Sequence, residues 1–147
     1  MATSRQYCTF TLAHLTFGIE VERVQEVMRA RELTEVPLAN SVVEGLINLR
    51  GQIVTALDLR RRLELPLRDP DAPPPMNIVV RTASGELSLL VDAIGDVVDA
   101  DEDTFEAPPE TLDGVARELI TGAYKLDGRQ LLLVLDTERA VQLPVGV

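Results

Sequence analysis

The sequence predicts an all-β protein made of two similar β-units in tandem. Three observations point there. Hydrophobic residues make up 46 % of the 147 residues while aromatics are only 3 %, with no Trp, so the core has to be built from Leu, Val and Ile, a bias that favours strands. Turn residues divide the chain into many short apolar or alternating runs, the spacing of small barrels or sandwiches. The chain also resembles itself at a fixed offset.

The elements follow in order. Residues 7–13 (YCTFTLA) alternate apolar and polar, and residues 17–21 (FGIEV) follow a turn at His14–Thr16. Residues 43–49 and 52–57 are expected to pair across Arg50–Gly51, and residues 77–82 and 87–92 across Ala83–Glu86, which contains Gly85. Residues 119–126 and 129–136 are expected to pair across Asp127–Gly128; Asp-Gly between apolar runs is the strongest short hairpin signal. Asp58 and Asp136 are each placed to cap a short helix, in DLRRRL and DTERAV.

The repeat is specific. Gly45, Leu49 and Gly51 fall on Gly122, Leu126 and Gly128 at an offset of 77, and Asp58 falls on Asp136 at 78. Upstream, VERVQEV (21–27) matches VDAIGDV (91–97) at an offset of 70. Neither unit is large enough to stand alone, so the two should share a core or an interface. Residues 68–76 (RDPDAPPPM) form the Pro-rich break between units, and EAPPE (106–110) is a second break.

Composition limits the functional classes. The net charge is −10, with 24 acidic against 14 basic residues, which argues against nucleic-acid binding. The one basic cluster, Arg60, Arg61 and Arg62, reads as a solvated face. Cys8 is the single cysteine, consistent with a reducing compartment. No apolar run of about 18 residues predicts a transmembrane helix, and the N-terminus has no signal-peptide pattern. The expected location is cytoplasmic, with no direct membrane insertion.

No motif points to catalysis. His14, the one histidine, sits at a turn, and no spacing links it to Cys8 or a serine. Asp99, Asp101, Asp103 and Glu110 occupy positions 1, 3, 5 and 12 of a calcium loop, but Thr104 stands where that loop needs Gly and Pro108 and Pro109 follow. The stretch reads as a solvated acidic loop. No cofactor is expected. Arg50, at a hairpin tip, reads from its position either as solvent decoration or as a contact, since arginine is over-represented among interface hot spots.

FGIEVERVQEV, VEGLINLRGQIVTALDLRRRL, LLVDAIGDV and LITGAYKLDGRQLLLVLDTERAV, in that order, resemble the CheW family of chemotaxis coupling proteins over roughly residues 6 to 143. The resemblance implies two intertwined five-stranded SH3-like β-barrels with short helices, in one domain (1–147) of two subdomains at about 15–67 and 77–143, the N-terminal strand possibly shared. It implies a non-catalytic scaffold that links the cytoplasmic tip of methyl-accepting chemoreceptors to the regulatory domain of a CheA-type histidine kinase. The receptor tip, a helical hairpin, would lie in the groove between the barrels. A similar role in a motility or other chemosensory-like pathway, or a small-molecule-binding β-barrel, are the alternatives.

Carried onto this chain, the resemblance assigns Arg50 and Asn48 to receptor binding, with Val24, Gln25 and Glu26 on a receptor-facing strand, Val97 on the opposite wall and Met76 nearby. It assigns Glu44 and Gly45 to the kinase contact. Two structural alternatives stand beside these roles. Arg50 could bridge the barrels through Asp92 or Asp96, and Val24 and Val97 could be core residues.

Overall fold

A computed structural model describes residues 4–29, 42–66, 69–112, 114–126 and 130–142. Strands β1 (Ser4–Leu12) and β2 (Leu15–Glu20) form a hairpin, and a 3-10 turn (Val21–Arg23) leads into β3 (Val24–Arg29). A second hairpin, β4 (Val43–Leu49) and β5 (Gln52–Asp58), runs into helix α1 (Leu59–Arg62). The order then recurs: a hairpin of β6 (Met76–Thr82) and β7 (Gly85–Val91), then β8 (Ala93–Asp101), then helix α2 (Gly114–Leu119). Strands β9 (Ile120–Lys125) and β10 (Leu131–Leu135) and helix α3 (Thr137–Ala140) close it.

The fold is mostly β, with two five-stranded sheets of the SH3-like barrel kind, ordered β8-β1-β2-β10-β9 and β3-β6-β7-β5-β4. Substituting β6 for β1, β7 for β2, β3 for β8, β5 for β10 and β4 for β9 turns the first order into the second. Each sheet therefore takes the opening hairpin of one repeat and the last three strands of the other. The seams of this exchange are the parallel pairings of β10 with β2 and β5 with β7 and the antiparallel pairings of β8 with β1 and β3 with β6. The sheets accordingly cut across the division at 15–67 and 77–143: β1 and β2 lie with strands from the far end of the chain, and residues 24–91 supply the second sheet whole. Hairpin turns mark local pairing only; which hairpin docks on which triplet is set by long-range packing.

The exchange explains the core. The largest buried cluster joins Phe10, Leu12, Phe17 and Ile19 of the first sheet to Leu57, Ile78, Val80, Leu89 and Val91 of the second, with Leu59 and Leu63 from the α1 end. Phe10 and Phe17 stack with ring centroids 5.6 Å apart. Two smaller clusters belong to one sheet each: Tyr7, Ala100, Tyr124, Leu132 and Val134, and Ile47, Leu49, Val54 and Val79. Burial of aliphatic area at roughly 25 cal/mol per Å² is the main stabilising term, and here most of it requires both repeats.

Both predicted aspartate caps form. Asp58 accepts a hydrogen bond from the Arg61 N–H at 3.4 Å and Asp136 from the Arg139 N–H at 3.1 Å. The first turn is tighter than its sequence suggested: Ala13 and His14 alone close it, both left-handed, and Leu15 already belongs to β2. The Asp127–Gly128 turn falls outside the described residues.

The Arg60–Arg62 cluster is not a solvated face. Arg60 Nε donates to Asp92 Oδ1 at 2.8 Å, its Nη2 bonds the other carboxylate oxygen, and both side chains are largely buried. The Asp92 contact pushes the Arg60 pKa up. Arg62 donates to the carbonyls of Ala140, Arg139 and Gln142 at 2.7–3.1 Å, satisfying orphan acceptors at the end of α3. Burial lowers the Arg62 pKa. These arginines tie the two repeats together, and neither partner is close in sequence.

Candidate protein–protein interface

The β4–β5 turn consists of Arg50 and Gly51, with φ of +54° and +85°. A two-residue turn with both positions left-handed matches the twist of its strands, and the first position ordinarily favours Asn, Asp or Gly. Arginine there carries a steric cost, so the side chain has to be explained by what it does. Asn48 shapes the turn by accepting from the Gly51 N–H at 3.1 Å.

Arg50 Nη2 donates to Glu26 Oε2 at 2.7 Å. The arginine side chain is 73 % exposed and that of Glu26 is 21 % exposed. β3 and β4 are the two edges of their sheet, so this pair ties the tip of one edge hairpin to the other edge. The alternative bridge from Arg50 to Asp92 or Asp96 is not made among the described residues: the partner of Arg50 is Glu26, while Asp92 holds Arg60 and accepts from the Ala13 N–H at 3.1 Å. The second Glu26 oxygen is buried and makes no hydrogen bond among the described residues. An exposed ion pair contributes about 0.2–1 kcal/mol; the guanidinium, mostly in solvent, keeps most of its donors free for another acceptor.

The other assigned residues separate by burial. Val24 and Met76 are half-buried against the shared core. Gln25 lies at a bulge in β3, where Val24 and Glu26 pair with adjacent residues Val80 and Val79. With its amide nitrogen turned toward Glu86, it donates to Oε1 at 2.7 Å. Val97 is 55 % exposed, on edge strand β8 of the other sheet. Gly45 is buried, paired with Ala56, and Glu44 is half-buried beside Asp58 and Arg60.

Two further apolar side chains stand out. Ile53, 65 % exposed, lines a shallow concavity with Gln52, Gly85 and Glu86, next to Gln25 through Glu86. Val27 is exposed on β3, and the offset of 70 makes it the counterpart of Val97. That equivalence was available in the sequence. Both edge strands bulge at matching places: β8 gains its extra residue where Cys8 and Phe10 pair with Val97 and Ile94. Bulged edges resist indiscriminate strand pairing and re-aim side chains.

The acidic stretch is used locally. Asp101 Oδ1 accepts from the Asp103 N–H at 2.9 Å, capping the 3-10 turn Glu102–Thr104. Asp99 and Asp101 are strand residues of β8. No helix among the described residues is long and apolar enough to cross a membrane.

The family described as the CheW-like domain matches residues 6–144. The chain belongs to the CheW-like family. The chemotaxis protein CheW of Treponema pallidum is 27 % identical over 137 residues, covering 91 % of this chain and 80 % of that protein. The Klebsiella aerogenes protein of the same name is 27 % identical over 135 residues, covering 92 % and 80 %. The crystal structure of the scaffolding protein TtCheW from Thermoanaerobacter tengcongensis superposes with a TM-score of 0.85 at 25 % identity, covering 96 % of this chain and 94 % of that one. The shared architecture is that of the CheW-like family, to which the TtCheW scaffolding protein also belongs.

Proposed function

We propose that this CheW-like protein is a non-catalytic cytoplasmic adaptor coupling chemoreceptors to a CheA-type histidine kinase. The observation that carries the reading is Arg50: a left-handed arginine held at one point by Glu26 and otherwise in solvent. A planar fork ordered by one carboxylate loses less freedom on meeting a second acceptor. Ile53 pairs with Asn48 beside the turn, Gln25 and the exposed Val27 flank Glu26 on β3, and Val97 is exposed on the other sheet, a mixture of apolar and polar side chains that suits an amphipathic helix.

In this reading Arg50 and Glu26 contact the receptor tip, Asn48 sets the turn, and Val97 anchors from the opposite side. Glu44 lies toward the kinase contact, and Gly45 serves it by holding the β4 backbone rather than by a side chain. Val24 and Met76 support the receptor surface from beneath. Each interface would be on the order of 800 Å² per partner or less, with avidity coming from several joined contacts.

Calorimetry with the regulatory domain of a CheA-type kinase tests the adaptor role. Micromolar binding that is unchanged in Arg50→Ala is expected. Absence of binding to any such domain would remove the function and leave only the fold.

A further inference from the structure

The chain has two Tyr and three Phe, and both tyrosines and one phenylalanine meet in one place. Tyr7 and Tyr124 are buried in the first sheet's own cluster, their ring centroids 5.6 Å apart. Phe105, 44 % exposed, lies against Tyr124 with centroids 5.0 Å apart. It rests on Gly122, where a Cβ would stand 2.2 Å from the phenylalanine Cζ. These rings line a cleft of about 430 Å³ whose other walls include Arg5, Glu20 and Glu102.

The two tyrosine hydroxyls share one hydrogen bond, at 3.4 Å. Two hydroxyls carry two protons, so one is left without an acceptor among the described residues. Burial and this contact push the Tyr7 pKa well up, so the hydroxyl is protonated. The rim is acidic, and a cation already sits on it. Arg5 Nε bonds Glu102 Oε1 and Arg5 Nη1 reaches Glu20 Oε1 at 3.4 Å, while the arginine remains more than half exposed. One guanidinium thus meets a carboxylate at the end of β2 and one in the 3-10 turn after β8 through two donors of its planar fork, a directional geometry that a lysine point charge matches less well. Aromatic faces beside paired carboxylates form a favourable setting for a guanidinium.

We propose that this cleft receives an arginine side chain from a basic segment of a partner protein, which takes the place Arg5 holds in the free chain. Arg5 is the internal competitor: tethered and exposed, it occupies the carboxylates until a partner guanidinium displaces it. Charge complementarity supports a basic partner, since the chain carries a net charge of −10. The aromatic floor distinguishes this cleft from the general acidic surface.

The test follows the ring resonances of Tyr7, Tyr124 and Phe105 by NMR in the full chain during titration with ethylguanidinium. The same titration is run with capped Gly-Arg-Gly and Gly-Lys-Gly peptides. Arg5→Gln and Arg5→Ala are read in parallel, each checked by thermal unfolding, so that a folding defect in one leaves the other to decide. Removing the competitor should tighten ethylguanidinium and arginine-peptide binding by about tenfold. Lysine peptide should bind more weakly than arginine peptide, and adding Phe105→Ala to either variant should abolish the saturable response. Equal, non-saturating shifts in native and Arg5-substituted chains would overturn the proposal. So would binding of ethylguanidinium without the arginine peptide, which would make the cleft a small-cation site rather than a docking site.

Discussion

The chain crosses from one sheet to the other at two equivalent places, and the two are fastened by opposite charges. After β7, the crossover residue Asp92 receives Arg60 of α1 and the Ala13 N–H of the β1–β2 turn. After β2, the crossover residue Arg23 donates to Glu138 of α3 at 2.6 Å, and Glu138 receives the Ala83 N–H of the β6–β7 turn at 3.1 Å. Ala13 and Ala83 correspond at an offset of 70, and Arg60 and Glu138 at 78. Each clamp therefore joins a crossover, a four-residue helix and the tip of the exchanged hairpin through one carboxylate. In one clamp the crossover supplies it, in the other the helix does. The repeat retains the backbone geometry and the need for a carboxylate at this junction, and leaves open which element carries it. The clamps also differ in burial: Arg60 and Asp92 are 14 % and 23 % exposed, while Arg23 and Glu138 are each about a third exposed.

That difference sets the order of expected effects. Asp92→Ala should cost most, about 2 kcal/mol, because it leaves a largely buried guanidinium with no carboxylate, only the Pro66 carbonyl, and removes the acceptor of a turn N–H. In a chain of this size that lowers Tm by about 6 °C, which differential scanning calorimetry would read. A double-mutant cycle of Arg60→Gln and Asp92→Asn should show coupling of about 1 kcal/mol, whereas Asp92→Asn and Glu138→Gln should be additive. Coupling between the two distant clamps would mean that they act as one unit.

Glu138→Gln should lower Tm less than Asp92→Ala, and its effect should depend on pH. Arg23 and the Ala83 N–H hold the Glu138 pKa below its ordinary value of 4.5. A depressed carboxylate pKa contributes stability above the unfolded value and loses it as pH falls through the folded value. The gap between native and Glu138→Gln chains should be full at neutral pH, and should narrow below about pH 4.5. Arg50→Ala should be the smallest, within about 0.5 kcal/mol of the native chain, as for exposed ion pairs generally.

Much of this was legible before the structure. Aliphatic composition, the Gly-marked turns and the offsets of 70 and 77–78 announced the strands and the repeat, and the aspartates announced their helices. Strands β3 and β8 were hidden as sequence patterns, because each carries an extra residue that breaks the period-two alternation, at Gln25 and between Val97 and Ile94. Helix α2 is six residues long, too short to show a periodic face. The hairpin exchange left no local mark, since it is written in pairings between residues as far apart as Thr16 and Leu132. Arg60 and Arg62 looked solvated for the same reason. At the candidate interface, Arg50 was found through its turn, but Glu26 as its partner and Ile53 as an exposed apolar neighbour required the folded edges to be seen.

The most direct test of the account is to measure Tm and affinity for a receptor-tip helical hairpin on the same Arg50→Ala preparation. The account predicts a Tm within about 2 °C of the native chain and an affinity lower by roughly tenfold or more, the usual cost of removing an interface arginine. A large fall in Tm, or an unchanged affinity for the receptor tip, would contradict it: the first would make Arg50 a residue of the fold, and the second would make its exposure incidental.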